Sequence, residues 1–223
     1  MTEANPEDRR EFPELDEKYT IIKPLGEGSF AEVRLAVDSE TNRYAIKIYS
    51  KTKIESKNLK KSIQHEVKLL KLLDHKNIIK IVEYIEGARY CYVVMEYGGP
   101  VSLREYLDTT EHGLMQESEA AVIFFELAKA LVYLHSKHIY HRDLKLDNIM
   151  VGTAGQVKLV DFGLALGVKD NGLINSYCGT PCYMPPEIFS KKKYHPDKAD
   201  VWSFGICLYR AVVGSFPFKG KLD

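Results

Sequence analysis

His141-Arg142-Asp143-Leu144-Lys145-Leu146-Asp147-Asn148 lies where one kind of sequence pattern gives way to another. Upstream, residues 117–135 read as a single long helix, with Ala121, Phe124, Phe125, Ala128, Leu131 and Leu134 forming a continuous apolar stripe. Downstream come two short strand-like pieces, Ile149-Met150-Val151 and Val157-Lys158-Leu159-Val160, flanking the turn Thr153-Ala154-Gly155. Asp161-Phe162-Gly163 follows at once and opens a loop-rich stretch reaching to about Lys193. Residues 199–213 then read as a largely apolar helix, ended by Gly214 and Pro217. This half of the chain is predicted to be mainly helical.

The half before it has the other period. Residues 19–25 alternate loosely and run into the turn Gly26-Glu27-Gly28, whose glycines let backbone N–H groups approach a phosphate closely. Residues 33–37 and 44–49 read as strands about the turn Asp38-Ser39-Glu40-Thr41-Asn42. Residues 59–73 have helical period, with Ile63, Val67 and Leu70 on one face. Residues 78–84 and 90–95 complete about five strands, so the expectation is an antiparallel sheet with one helix on a face. Lys47 stands in an otherwise apolar strand, where an unpaired charge is costly, and Glu66 on the helix is its natural partner. Residues 96–100 are the candidate hinge between the halves.

The 223 residues suffice for one domain with a sizeable core, or for two small lobes around a cleft. Hydrophobic residues at 45% and charged residues at 28% are ordinary for a soluble globular domain. Basic and acidic residues balance at 31 each, so no global field points toward nucleic acid or a membrane surface. Cys91, Cys178, Cys182 and Cys207 lack paired metal-ligand spacing and read as reduced thiols of a cytosolic protein. Residues 1–18 are polar and acidic, broken by Pro6 and Pro13, and read as a tail. The apolar run 201–213 is interrupted by Ser203 and Arg210 and is too short to cross a bilayer. The expectation is a soluble cytoplasmic protein, nuclear residence remaining open, with no membrane insertion and no nucleic-acid partner.

In order along the chain, the glycine turn, Tyr44-Ala45-Ile46-Lys47, His141 to Asn148, Asp161-Phe162-Gly163 and Met184-Pro185-Pro186-Glu187 resemble the signature set of eukaryotic-type protein kinase catalytic domains. The resemblance implies an α+β, bilobal protein-kinase fold. A small antiparallel sheet lobe with one helix would occupy residues 19–97, after an acidic tail over 1–18. A mainly helical large lobe would occupy 98–223 and be incomplete, since the family's large lobe continues through several more helices. ATP and Mg2+ are the implied cofactors. Leu25, Gly26, Glu27, Gly28, Ser29 and Phe30 would cover the phosphates, although the third glycine of the pattern is Ala31 here. Val33, Ala45 and Met150 would sandwich adenine, with Met95 as gatekeeper and Glu96 and Tyr97 at the purine edge. Lys47, oriented by Glu66, would hold the α- and β-phosphates, and Asn148 and Asp161 would be the metal ligands. Asp143 would take or orient the acceptor's proton, Lys145 would stabilise charge on the transferred group, and Thr180 would bond both. Asp200 would brace the loop that carries Asp143, and Leu70, Ile81, His141 and Phe162 would form a hydrophobic column.

Lys145, two residues after Asp143, and Thr180 in Gly179-Thr180-Pro181 imply serine/threonine rather than tyrosine specificity, and hence a protein substrate with a Ser/Thr acceptor. The segment 200–218 resembles the calcium/calmodulin-dependent and AMP-activated kinase group. Arg142 beside Asp143 implies an anion in the activation segment. Ser176, counted back from Pro186-Glu187, stands where related kinases carry an activating phosphate placed by an upstream kinase. Two other readings share the fold. Intact Lys47, Asp143, Asn148 and Asp161 weigh against a pseudokinase scaffold, and the full activation segment through Glu187 weighs against a small-molecule kinase.

Overall fold

The computed structural model describes residues 12–15, 17–28, 31–57, 59–152, 155–168 and 172–218. The chain divides into two compact units, Met1–Asp74 with Ile79–Tyr97, and His75–Ile78 with Gly98–Asp223.

In the first unit the chain runs β1 (Thr20–Glu27), β2 (Ala31–Val37), β3 (Arg43–Ser50), α1 (Lys51–Ser56), α2 (Lys60–Leu70), β4 (Ile81–Glu86) and β5 (Tyr90–Glu96). The strands form one sheet in the order β1-β2-β3-β5-β4, each neighbouring pair antiparallel. The expected single helix is joined by a second, α1. Its six residues bury only Ile54, so it presents no apolar stripe for periodicity to reveal. The expected strand 78–84 begins instead at Ile81. Ile78 leaves the sheet and bridges Leu159 of the second unit, of which it is part.

Register assigns the faces of this sheet. Val33, Lys47 and Val93 are cross-strand neighbours, as are Leu35, Ala45 and Met95, so all six share one face. The opposite face carries Ile46, Ile48, Tyr92 and Val94, packed with Ile21 and Ala36. Phe12 and Leu15 complete that core, each only 1% exposed. The Phe12 ring meets Tyr90 and Tyr92 edge-on at 5.2 and 6.3 Å. Glu14 between them accepts from the Ala88 N–H and the Tyr92 hydroxyl, both at 2.7 Å. The tail expected through Lys18 is thus part of the folded unit from Phe12. Two apolar residues in an acidic stretch have no period, and the ring partners of Phe12, Tyr90 and Tyr92, lie about 80 residues downstream.

The second unit contains β6 (Val101–Ser102), α3 (Leu103–Asp108), α4 (Glu117–Ser136), β7 (Ile139–Tyr140), β8 (Ile149–Val151), β9 (Val157–Leu159), β10 (Leu166–Gly167), α5 (Pro186–Phe189) and α6 (Pro196–Val213). β6, β8 and β9 form one small antiparallel sheet and β7 pairs with β10. A capping box starts α3: Ser102 Oγ accepts from the Glu105 N–H at 3.1 Å, and the Glu105 carboxylate accepts from the Ser102 N–H at 2.7 Å. α4 buries Ile123, Phe124, Leu127, Leu131 and Leu134. Phe125 and Ala121, expected in its stripe, are exposed, because each is turned about 100° from a buried neighbour. α6 starts three residues before the expected boundary. Pro196 sits in its first turn, where the missing N–H costs nothing. Gly214, at φ 78°, closes it in the left-handed conformation.

Candidate active site

Lys47 lies on the β3 face opposite the Phe12 core. Its ammonium is 3.1 Å from Glu66 Oε1 on α2, and the two side chains are 17% and 4% exposed. Tyr49, two residues on and on the same face, donates its hydroxyl to the other Glu66 oxygen at 3.2 Å. Tyr49 was not among the expected site residues, though period two from Lys47 points at it. A carboxylate this dry needs both partners, and removing one leaves an uncompensated buried charge. Gly26 pairs with Val33 across the β1–β2 ladder, and the Gly28 N–H donates to the Ala31 carbonyl at 2.8 Å. Leu25 is half-buried and Glu27 exposed on β1, while Ser29 and Phe30 lie outside the described residues. Ala31 is not among the residues of positive φ, so its methyl group brings no backbone strain. Ala45 and Met95 share the face of Lys47. The Glu96 carboxylate accepts from the Lys80 N–H at 2.8 Å, and Tyr97 ends the unit half-buried.

The second unit assembles the other expected residues. Asp143 follows β7 on a loop whose backbone is held from α6. Buried Asp200 accepts from the N–H groups of His141 and Arg142 at 2.9 and 2.8 Å, and bonds His135 Nε2 at 3.0 Å. His141 is fully buried. Its Nε2 donates to the Val160 carbonyl at 3.1 Å, and its Nδ1 accepts from the Asp143 N–H at 3.3 Å, which sets the tautomer. The ring stands edge-on to Phe162 at 5.0 Å. Leu70 and Ile81 are buried in the first unit.

Asp143 itself is held on both oxygens. Thr180 donates to Oδ1 at 2.7 Å, and the Lys145 ammonium is 3.2 Å from Oδ2 and 3.3 Å from the Thr180 hydroxyl. Asn148 gives its amide N–H to the Asp143 carbonyl at 2.9 Å, which leaves its amide oxygen as the free end. The Val160 N–H donates to the Asn148 carbonyl at 2.9 Å, so the backbone sets Asp161 next to Asn148. Asp161 adopts φ 61°, which few non-glycine residues do. Met150 on β8 fills the space above Gly98, where an added Cβ would come within 3.1 Å of its side chain. Among the described residues no three His, Cys, Asp or Glu side chains cluster as a metal site. Asn148 and Asp161 fit Mg2+ in another way: they are hard oxygen donors, and Mg2+ takes one or two such ligands with waters and phosphates completing its shell.

Arg142, at φ 64°, donates its Nε to the Leu164 carbonyl at 2.7 Å. Ser176 is half-buried, and its hydroxyl lies 3.7 Å from Cys178 Sγ. Tyr194, which no motif marks, donates its hydroxyl to the Ser176 carbonyl at 3.0 Å. Burial pushes that phenol up to about 12, against the opposing pull of nearby Arg142. Ser176 and Arg142 are therefore both neighbours of one buried tyrosine.

The sequence matches the protein kinase domain family over residues 19–223. The chain belongs to the protein kinase domain family. The "Probable serine/threonine-protein kinase MARK-A" of Dictyostelium discoideum is 38% identical to this kinase domain over 204 residues, 91% of the chain and 19% of that protein. Serine/threonine-protein kinase SIK1 of Mus musculus is 41% identical over 203 residues, 91% of the chain and 26% of the relative, and its Rattus norvegicus counterpart is 40% identical over the same share. The kinase domain thus spans about a fifth to a quarter of the length of these relatives. No helix among its described residues is long and apolar enough to cross a membrane.

Proposed function

We propose that this domain transfers the γ-phosphoryl group of Mg·ATP to serine and threonine hydroxyls of protein substrates. The observation that carries the reading is the closed triangle of Asp143, Thr180 and Lys145, with sides of 2.7, 3.2 and 3.3 Å. Asp143 accepts the proton of the acceptor hydroxyl, whose oxygen replaces ADP on the γ-phosphorus. Thr180 fixes the carboxylate that does this, and Lys145 meets the charge that builds on the transferred group. Lys47, steadied by Glu66 and Tyr49, holds the α- and β-phosphates, while Val33, Ala45, Met95 and Met150 give adenine apolar contacts. Mg2+, bound through Asn148 and Asp161, supplies neutralisation of the phosphate charge.

The same reading makes Ser176 the target of an upstream kinase. A phosphate there adds about −1.5 to −2 charge and three acceptor oxygens, which Arg142 can meet bidentately. One experiment tests both parts. Phosphate transfer from ATP is followed with Ser, Thr and Tyr acceptor peptides, alongside phosphosite mapping. Asp143→Asn should lower turnover about 10²–10⁴-fold with its fold intact by circular dichroism. Tyr peptides should stay unlabelled. Ser176→Ala should stay at basal activity where Tyr177→Phe is activated. An Asp143→Asn variant as active as the wild type would remove the catalytic reading; full activation of Ser176→Ala would remove only the switch.

A further inference from the structure

The period of two along β3 sets Ala45, Lys47 and Tyr49 on one face of the sheet. Across from Tyr49 stand Ala31 on β2 and Cys91 on β5, both small. The phenol is buried, and the Lys47 ammonium lies over its ring, 5.7 Å from the centre, within reach of a cation–π contact. α2 brings Glu66 to the same place. Its buried residues are Ile63, Glu66, Val67, Leu69 and Leu70, and of these Glu66 alone is charged. The two carboxylate oxygens have different donors. Oε1 is 3.1 Å from the Lys47 ammonium, and Oε2 accepts from the Tyr49 hydroxyl at 3.2 Å. One side chain thus touches both members of the ion pair, ring to cation and hydroxyl to anion.

Nucleotide binding asks different things of the two donors. Lys47, as the ligand of the α- and β-phosphates, divides its charge between them and Glu66 once ATP arrives. The carboxylate on α2 then keeps less of the compensation that a buried charge needs. The Tyr49 hydroxyl is a neutral donor, so phosphate charge draws it away far less than it draws an ammonium. A hydrogen bond to an ionised acceptor is among the stronger ones a hydroxyl can make. It anchors Oε2 to the strand that carries Lys47, and it does so without a second cation competing for the phosphates.

We propose that Tyr49 is a positioning residue of the phosphate site, holding the Glu66 carboxylate, and α2 with it, against β3 while Lys47 engages the nucleotide. The assignment rests on the reading of Lys47 as a phosphate ligand. Tyr49 acts through Glu66 and Lys47, so its effect falls on ATP binding. Asp143, Lys145 and Thr180, which carry the transfer step, belong to the second unit and keep their own bonds without it.

The test is a double-mutant cycle on the whole chain, with wild type, Tyr49→Phe, Glu66→Ala and the double variant. ATP affinity is read by calorimetry, and KM for ATP and kcat with a short acceptor peptide. Tyr49→Phe keeps the ring and loses only the hydroxyl. It should raise Kd and KM for ATP about tenfold, about 1.4 kcal/mol, with kcat within about twofold of wild type. In the Glu66→Ala background the same change should add less than about twofold, because the hydroxyl has lost its acceptor. Three results would overturn the proposal: unchanged ATP affinity in Tyr49→Phe, a fall in kcat that matches the rise in KM, as general loosening would give, or an equal loss with and without Glu66. Lys47→Ala, measured alongside, separates the two layers of the reading. Weaker ATP binding in Lys47→Ala but not in Tyr49→Phe would remove only the role of Tyr49. Wild-type binding in Lys47→Ala would remove the phosphate reading of Lys47 and the role of Tyr49 with it.

Discussion

At the scale of single residues, Thr180 separates geometry from charge. Its hydroxyl donates to Asp143 at 2.7 Å and accepts from Lys145 at 3.3 Å, yet it adds no charge of its own. Thr180→Ala should therefore lower kcat about 10–100-fold, the worth of one hydrogen bond to a charged group, and leave the KM for ATP nearly unchanged. Thr180→Ser should restore most of the loss; a fall equal to that of Asp143→Asn would mean that the loop had collapsed. Thr180, Asp143 and Lys145 were legible because they sit in short runs whose order is diagnostic. Tyr194 and Glu14 were not, for a physical reason. Each acts through a partner 18 or 78 residues away, and nothing local in their own sequence records that partner.

At the scale of elements, the sheet was legible and the short helices were not. The strands read over 90–95 and 44–49 lie within β5 and β3 to a residue or two, as pattern reading allows. α1 and α3, of six residues each, offer too few turns for a period to develop, so local chemistry has to hold them. For α3 that chemistry is the box between Ser102 and Glu105. Ser102→Ala should cost about 1 kcal/mol in urea unfolding, within the usual range for a lost cap. Ser102→Asp should recover most of it, and an alanine variant as stable as the wild type would show that packing of Leu103 and Leu107 alone holds the helix. α4 shows the opposite difficulty. Its apolar residues are so numerous that a stripe can be drawn through either side, and only burial shows that Phe125 belongs to the outer one.

At the scale of the whole molecule, the order of motifs carried the fold, while the path of the chain between the units did not follow from them. His75–Ile78 belongs to the second unit although the sequence on either side belongs to the first. The proposed nucleotide ligands are divided in the same way, Lys47 in one unit and Asp161 in the other. Mg·ATP at about 100 times its Kd should then stabilise the chain by about 2.7 kcal/mol. Lys47→Ala and Asp161→Ala should each remove most of that shift in a thermal melt; retention of the full shift by either variant would take that residue out of the ligand set. One further consequence follows from Phe12 and Leu15. Kinship with the family becomes recognisable at Tyr19, but the material that fills the sheet's second face begins seven residues sooner. A fragment cut where the likeness starts would forfeit two interior side chains, about 1.5–3 kcal/mol each, from a domain whose whole margin is about 5–15. It would also strip Tyr92 of the acid that caps it. What descent has kept recognisable and what the polypeptide needs to stay folded are two different lengths of chain.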